Sequence, residues 1–211
     1  MKVFFSGFNV LAALFLALGA MSCTSPNGNG TVVQNTGAAP QKSSEENALL
    51  YSDECISELE VVEAQKQWGD GIVRIGNVFS KGGDYSKEAA EFIQEMYGYD
   101  LGSVLFKPTL ASERQFRPSF DAALSYFVGG NDAYPEDKGF AIKPYTNVKF
   151  ENIGIINNNC RVAIAMGNYF FTPAAGGDDV KVEYTFAYVK DKNGKLRIAA
   201  HQSSLPYAPN P

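Results

Sequence analysis

The chain contains a single histidine, His201, and two positions further along the same run stands Ser203. The run reads Arg197-Ile198-Ala199-Ala200-His201-Gln202-Ser203-Ser204-Leu205-Pro206, and along an extended strand residues two apart share a face. His201 and Ser203 therefore point together, Gln202 and Ser204 point the other way, and small Ala199 leaves room beside the pair. An imidazole next to a hydroxyl suits proton transfer, because its unperturbed pKa of about 6.5 lies in the working range. The same pair also fits a purely structural histidine near a strand end. A serine nucleophile is disfavoured, since no Gly-x-Ser-x-Gly elbow and no oxyanion loop accompany Ser203. A metal site built from two or three histidines is excluded by the count of one. Two further segments offer hydroxyls: Lys107-Pro108-Thr109 and Ser125-Tyr126-Phe127, the latter beside Gly129-Gly130. Taken singly, a threonine there reads as a cap, and Tyr126 reads as a core residue whose hydroxyl finds a partner.

Elements that could position these groups follow from periodicity. Ile56, Leu59, Val62, Trp68, Ile72, Ile75 and Val78 recur at helical spacing, predicting a long amphipathic helix from about Asp53 to Phe79. Gly69, Gly71 and Gly76 within it mark a kink or a close contact with a sheet. A second helix follows Gly82-Gly83, capped by Asp84 or Ser86, with Ala89, Phe92, Ile93 and Met96 inward and Gly98 as its stop. A short strand, Ser103–Lys107, precedes a third helix from about Ser119 to Phe127, entered at Pro118 and Asp121. The last third changes period: Val148–Ile155, Arg161–Thr172, Val180–Val189 and Leu196–Ser204 are strand runs separated by turn clusters. Hairpin-length links predict an α+β fold, an antiparallel meander with the helices packed across one face. A curved sheet closed by helices leaves a cone-shaped pocket suited to something small.

Composition narrows the function classes. The 211 residues carry 18 Lys+Arg against 23 Asp+Glu, a formal charge of −5 without any basic run, which disfavours nucleic acid as a partner. Residues 1–22 read as a secretory signal: Lys2, an apolar stretch from Val10 to Leu18 too short to span a bilayer, then Gly19-Ala20-Met21-Ser22 before Cys23. Ala20-Met21-Ser22-Cys23 resembles a bacterial lipobox, so Cys23 is a candidate for lipidation, with ordinary cleavage after Ala20-x-Ser22 as the alternative. Residues 23–50 form a Ser/Thr/Asn/Gly/Pro-rich linker, a fitting leash for an anchored domain at residues 51–211. Export to the periplasm, free or as a membrane-anchored lipoprotein, is the expected localisation, and the membrane is reached only through Cys23. Cys55 and Cys160 are then left either as one disulfide or as two free thiols.

Six blocks, in order, carry a resemblance: Val104–Thr109, Gln115–Pro118, Ala123–Gly130, Glu136–Ile142, Ala165–Phe171 and His201–Tyr207. Together they are similar to the iota-class carbonic anhydrases, within the wider group of cone-shaped domains that includes nuclear transport factor 2 and the association domain of calmodulin-dependent kinase. The resemblance covers about Glu54 to Tyr207. It implies reversible hydration of CO2 to bicarbonate, no cofactor, a homodimer, and pocket groups at Thr109, Tyr126, His201 and Ser203. The departure is Gln202, where relatives carry a second histidine. Because Gln202 alternates away from Ser203, the pocket set is expected to survive its presence.

This resemblance agrees with the residue types. A zinc-type site needs three protein ligands, which one histidine and at most three cysteines supply poorly; a divalent ion on carboxylates is the remaining metal alternative. Without metal, His201 is expected to take the proton, directly or through Ser203, while Thr109 and Tyr126 orient water and stabilise the nascent bicarbonate oxygens. The competing reading is a non-catalytic binding or association domain of the same fold. An isomerase or cyclase of the fold ranks last, because Glu183 falls on the wetter strand face.

Overall fold

Ser57 starts the first helix. Its hydroxyl accepts the Glu60 amide at 3.2 Å, while the Glu60 carboxylate takes the Ser57 amide at 2.8 Å, a capping box that satisfies two otherwise orphaned donors. In this computed structural model, which describes residues 54–158 and 161–209, helix α1 runs Glu58–Ser80. The proposed signal, the linker, Cys23 and Cys160 lie outside the described residues. Cys55 is disulfide-bonded, which removes the free-thiol alternative for it.

The buried stripe of α1 is Val61, Ala64, Gln65, Trp68, Ile72 and Ile75. Leu59 and Val62, expected inward, are exposed, because at about 100° per residue they sit roughly 160° and 100° around the helix from Val61, whose face Trp68 and Ile72 share. The helix glycines mark close approach. A Cβ on Gly69 would sit 3.1 Å from Val148, and one on Gly71 would sit 2.3 Å from the Phe92 ring. Helix α2, Tyr85–Met96, starts at Asp84, and helix α3, Phe120–Val128, starts at Ser119 and stops at Gly129 with φ of 73°.

Strand β1 is Leu105–Lys107. The long strands are β2 Tyr145–Asn158, β3 Val162–Pro173, β4 Val180–Lys190 and β5 Leu196–Ser204. They form the expected antiparallel meander, in the order β1-β5-β4-β3-β2. The departure from an all-antiparallel sheet is β1, which joins the edge of β5 in parallel, pairing Phe106 with His201. On β4, Val182, Tyr184, Phe186 and Tyr188 are buried beneath the helices while Lys181 and Glu183 are exposed, as period-two alternation requires.

A bulge in β5 aims the histidine. Ala187 and Tyr188 of β4 are consecutive, yet they pair with Ala200 and Ile198, so Ala199 is the extra residue. Strict alternation from buried Ile198 would turn His201 outward. The extra residue restores His201 and Ser203 to the inner face, where each is 2% exposed. Ala199 is consumed by the bulge and does not line the cavity, so the room beside His201 is not its contribution.

Candidate active site

One cavity of about 70 Å³ brings together Thr109, Tyr126, His201 and Ser203. It has room for a molecule of a few heavy atoms, well short of the roughly 300–1,000 Å³ of pockets for drug-sized ligands. Its remaining wall is apolar and aromatic, including Leu110, Phe140, Phe171, Val182 and Leu205. Larger depressions of about 470 and 590 Å³ elsewhere are open and lined by charged groups such as Glu63, Asp70 and Lys195. They lack both the enclosure and the converging hydroxyls of the small cavity.

Thr109 follows β1 directly and donates from Oγ1 to Ser203 Oγ at 2.9 Å. The parallel pairing of β1 with β5 is what places these two segments side by side. Tyr126 comes from α3. Its ring stacks on Phe140 at 5.6 Å, its hydroxyl takes the Leu110 amide, and burial pushes its phenol above the usual range. Behind it, Ser125 donates to Asp137 at 2.7 Å, and Asp137 pairs with fully buried Arg117 at 2.5 Å. Glu136 accepts three amides of the segment after Thr109, from Ser112, Glu113 and Arg114. These bonds hold its carboxyl at about 2.

His201 is boxed by aromatic rings: Phe106 stacks at 4.7 Å and Phe186 meets it edge-on at 4.1 Å. Both are its register partners on the flanking strands. Burial holds its imidazole well below 6.5, because the enclosed ring cannot keep a charge without water. Nε2 faces the Tyr169 hydroxyl at 3.4 Å, long for a hydrogen bond, and Tyr169 in turn interacts with the Ser203 hydroxyl. Nδ1 meets the Tyr97 hydroxyl at 2.9 Å, and that hydroxyl also receives the Trp68 indole N–H at 3.0 Å. Trp68, Tyr97 and Tyr169 are site residues that motif spacing does not single out. Tyr169 had a signal, since it shares the inward phase of β3 with Phe171. Gln202 is exposed opposite Thr185, turned away from the cavity as alternation predicts.

Residues 59–205 match the family model described as metal-independent carbonic anhydrase. The chain belongs to this carbonic anhydrase family. A curated relative, the metal-independent carbonic anhydrase of Nostoc sp. (strain PCC 7120 / SAG 25.82 / UTEX 2576), is 47% identical over 156 residues, covering 72% of this chain and 75% of that one. A crystal structure of a cyanobacterial iota-carbonic anhydrase complexed with bicarbonate superposes with a TM-score of 0.71 at 43% identity, covering 74% of this chain and 95% of that one. The family is metal-independent by its description, and among the described residues no three His, Cys, Asp or Glu side chains cluster as metal ligands.

In this carbonic anhydrase the buried imidazole also sets a pH dependence of stability. His201 is neutral when folded but titrates near 6.5 when unfolded, so below that pH the unfolded state binds the extra proton and stability is lost as pH falls. The unfolding free energy is expected to be lower at pH 5.5 than at pH 7.5, by on the order of 1 kcal/mol. Glu60 and Glu136 have lowered pKa values and lose stability in the same direction, but only below about 4.5. Urea midpoints at the two pH values check this, and a flat profile in the wild type would contradict it.

Proposed function

We propose that this domain hydrates CO2 reversibly to bicarbonate in the cavity formed by Thr109, Tyr126, His201 and Ser203. The observation that carries the reading is convergence: hydroxyls from three elements meet beside a buried imidazole in a void sized for a few heavy atoms. The bicarbonate found in the related crystal structure supports the same substrate class.

Hydration needs a water aimed at carbon and donors for the charge that develops on oxygen. Thr109 and Ser203, bonded to each other, hold the water, while the apolar wall of Phe140, Phe171 and Val182 receives CO2. The water oxygen bonds to carbon, a C=O electron pair moves onto its oxygen, and one water proton passes to solvent water at the cavity edge. Tyr126 and Ser203 donate to the new carboxylate oxygens. His201 acts on this centre through Tyr169, not by direct contact with Ser203.

We place the domain outside the cytoplasm, periplasmic or tethered to a membrane by lipidated Cys23, on the strength of residues 1–22 and the linker after them. A homodimer is supported by the outer sheet face, where Ile156, Ile164 and Met166 are exposed; apolar residues grouped on a surface mark association sites.

Stopped-flow CO2 hydration by the chelator-stripped protein is expected to match the untreated protein within about twofold. His201→Ala is expected to lose about 10–100-fold, the cost of removing a partner that orients a group at the reacting centre. Activity that returns only with added metal would overturn the metal-independent mechanism, and no activity in either condition would favour a binding domain.

A further inference from the structure

The hydrogen bonds behind His201 have a direction, and that direction starts at a group that can only donate. An indole N–H has no acceptor capacity, so Trp68 Nε1 donates to the Tyr97 oxygen across their 3.0 Å contact. The Tyr97 hydroxyl hydrogen then needs an acceptor. Tyr97 is 0% exposed and Trp68 and His201 are nearly as enclosed, so water does not serve, and His201 Nδ1 stands at 2.9 Å.

If Nδ1 carried the proton, it would donate to the Tyr97 oxygen, and the Tyr97 hydrogen would be stranded in the core. A buried unsatisfied hydroxyl is costly. With Nδ1 accepting, every group in the chain is satisfied, and the neutral ring carries its proton on Nε2. That proton faces Tyr169. Accepting there, Tyr169 turns its own hydrogen toward Ser203, which also accepts from Thr109. Both Ser203 lone pairs are then used, and its hydrogen is left for the cavity.

We propose that Trp68 and Tyr97 are positioning residues that lock His201 as the Nε2–H tautomer, so that its imidazole serves as a neutral hydrogen-bond donor and not as the proton acceptor. The catalytic half of this proposal rests on the carbonic anhydrase reading; the tautomer does not. The polarity Trp68 to Tyr97 to His201 to Tyr169 to Ser203 ends in a donor aimed at the reacting centre. A pocket so polarised favours an anion, which fits bicarbonate and the charge developing on the CO2 oxygens. During hydration the water's O–H bond breaks as its oxygen bonds to carbon, and the released proton passes to solvent water at the cavity edge, beside half-buried Thr109. The imidazole keeps its proton throughout.

The single histidine makes the test direct, because ring-15N labelling gives two nitrogen signals and no overlap. Long-range 1H–15N spectra of the full-length protein are expected to show a protonated, pyrrole-type Nε2 and a bare, pyridine-type Nδ1. A protonated Nδ1, or an even mixture, overturns the proposal. Tyr97→Phe is expected to scramble the tautomer and lower kcat by about 10–100-fold with KM nearly unchanged, as loss of a partner that orients a functional histidine does. Wild-type kcat in that variant would overturn the positioning role. The wild-type spectrum needs no variant to fold and no CO2, so it judges the tautomer alone. Absence of CO2 hydration by the wild type would overturn the functional reading, and with it only the catalytic half.

Discussion

Ser203→Ala is expected to lower kcat for CO2 hydration by about 10²–10³-fold, the effect of deleting one donor aimed at a developing oxyanion. The change removes one oxygen from a residue already 2% exposed, so the strand and its register should persist. It also strands the neighbours. Thr109 Oγ1 loses its partner at 2.9 Å, and Tyr169 loses its link to the reacting centre. Because Ser203 is shared by both, Thr109→Val combined with Ser203→Ala should cost less than the sum of the single losses, the non-additivity of residues in one network. Stopped-flow assays on the two single variants and the double variant read this out. A Ser203→Ala enzyme within about threefold of wild type would remove Ser203 from the mechanism.

Asp137→Ala is expected to destabilise the fold by about 3–5 kcal/mol, since it leaves a buried guanidinium without its main counter-charge. Arg117 is 0% exposed, and its other carboxylate, Glu136, stands 3.9 Å away. Around it stand the Arg114 and Phe116 carbonyls and the faces of Tyr134 at 4.6 Å and Tyr126 at 5.9 Å. A loss of that size is a large share of the roughly 5–15 kcal/mol that holds a domain together. The node also ties the site. The Arg117 amide bonds the Phe106 carbonyl of β1 at 2.8 Å, and Asp137 anchors Ser125 beside Tyr126. Asp137→Asn keeps one acceptor oxygen for Arg117 and turns its NH2 toward Ser125, whose hydroxyl can accept it, so it should cost less. Urea unfolding compares the two, and a loss below about 1 kcal/mol for the alanine would show that Arg117 finds other compensation.

A second buried cation supports the site from the opposite end of β5. Arg197 donates to the carbonyls of Gln94 and Tyr97 at 2.6 Å each and pairs with Asp100 at the same distance. Together with the Tyr97 to Ile198 bridge, it fastens the end of α2 to β5. The phenol that orients His201 is thus held by its own backbone, which connects a distant charge pair to the direction of a proton in the cavity.

How much of this was legible in the chain depends on the range of each interaction. The three helices, the four long strands and the pairing of His201 with Ser203 on one face are local consequences of periodicity and caps, and a sequence displays such patterns directly. Ser57, Asp84, Ser119 and Gly129 set their helix ends through partners within a few positions. The family blocks name Thr109, Tyr126, His201 and Ser203 because each sits inside a contiguous motif. The inward stripe of α1 takes Val61 in place of Leu59 and Val62, because at about 100° per residue those two lie well around the helix from the face that Trp68, Ile72 and Ile75 turn inward.

The tertiary structure alone decided the rest. Trp68 and Tyr97 are 29 positions apart, and Tyr97 and His201 are 104 apart, so nothing local joins them. Parallel β1 could not be read from hairpin-length links, since its partner β5 comes last in the chain. The bulge at Ala199 has no composition of its own, yet it turns the histidine inward, because the phase of a strand is set by its pairing with β4. The sequence by itself determined which groups are available for the chemistry. Their direction, including which imidazole nitrogen faces Tyr169, is decided by buried hydrogen bonds that exist only once α1, α2 and β5 have packed together.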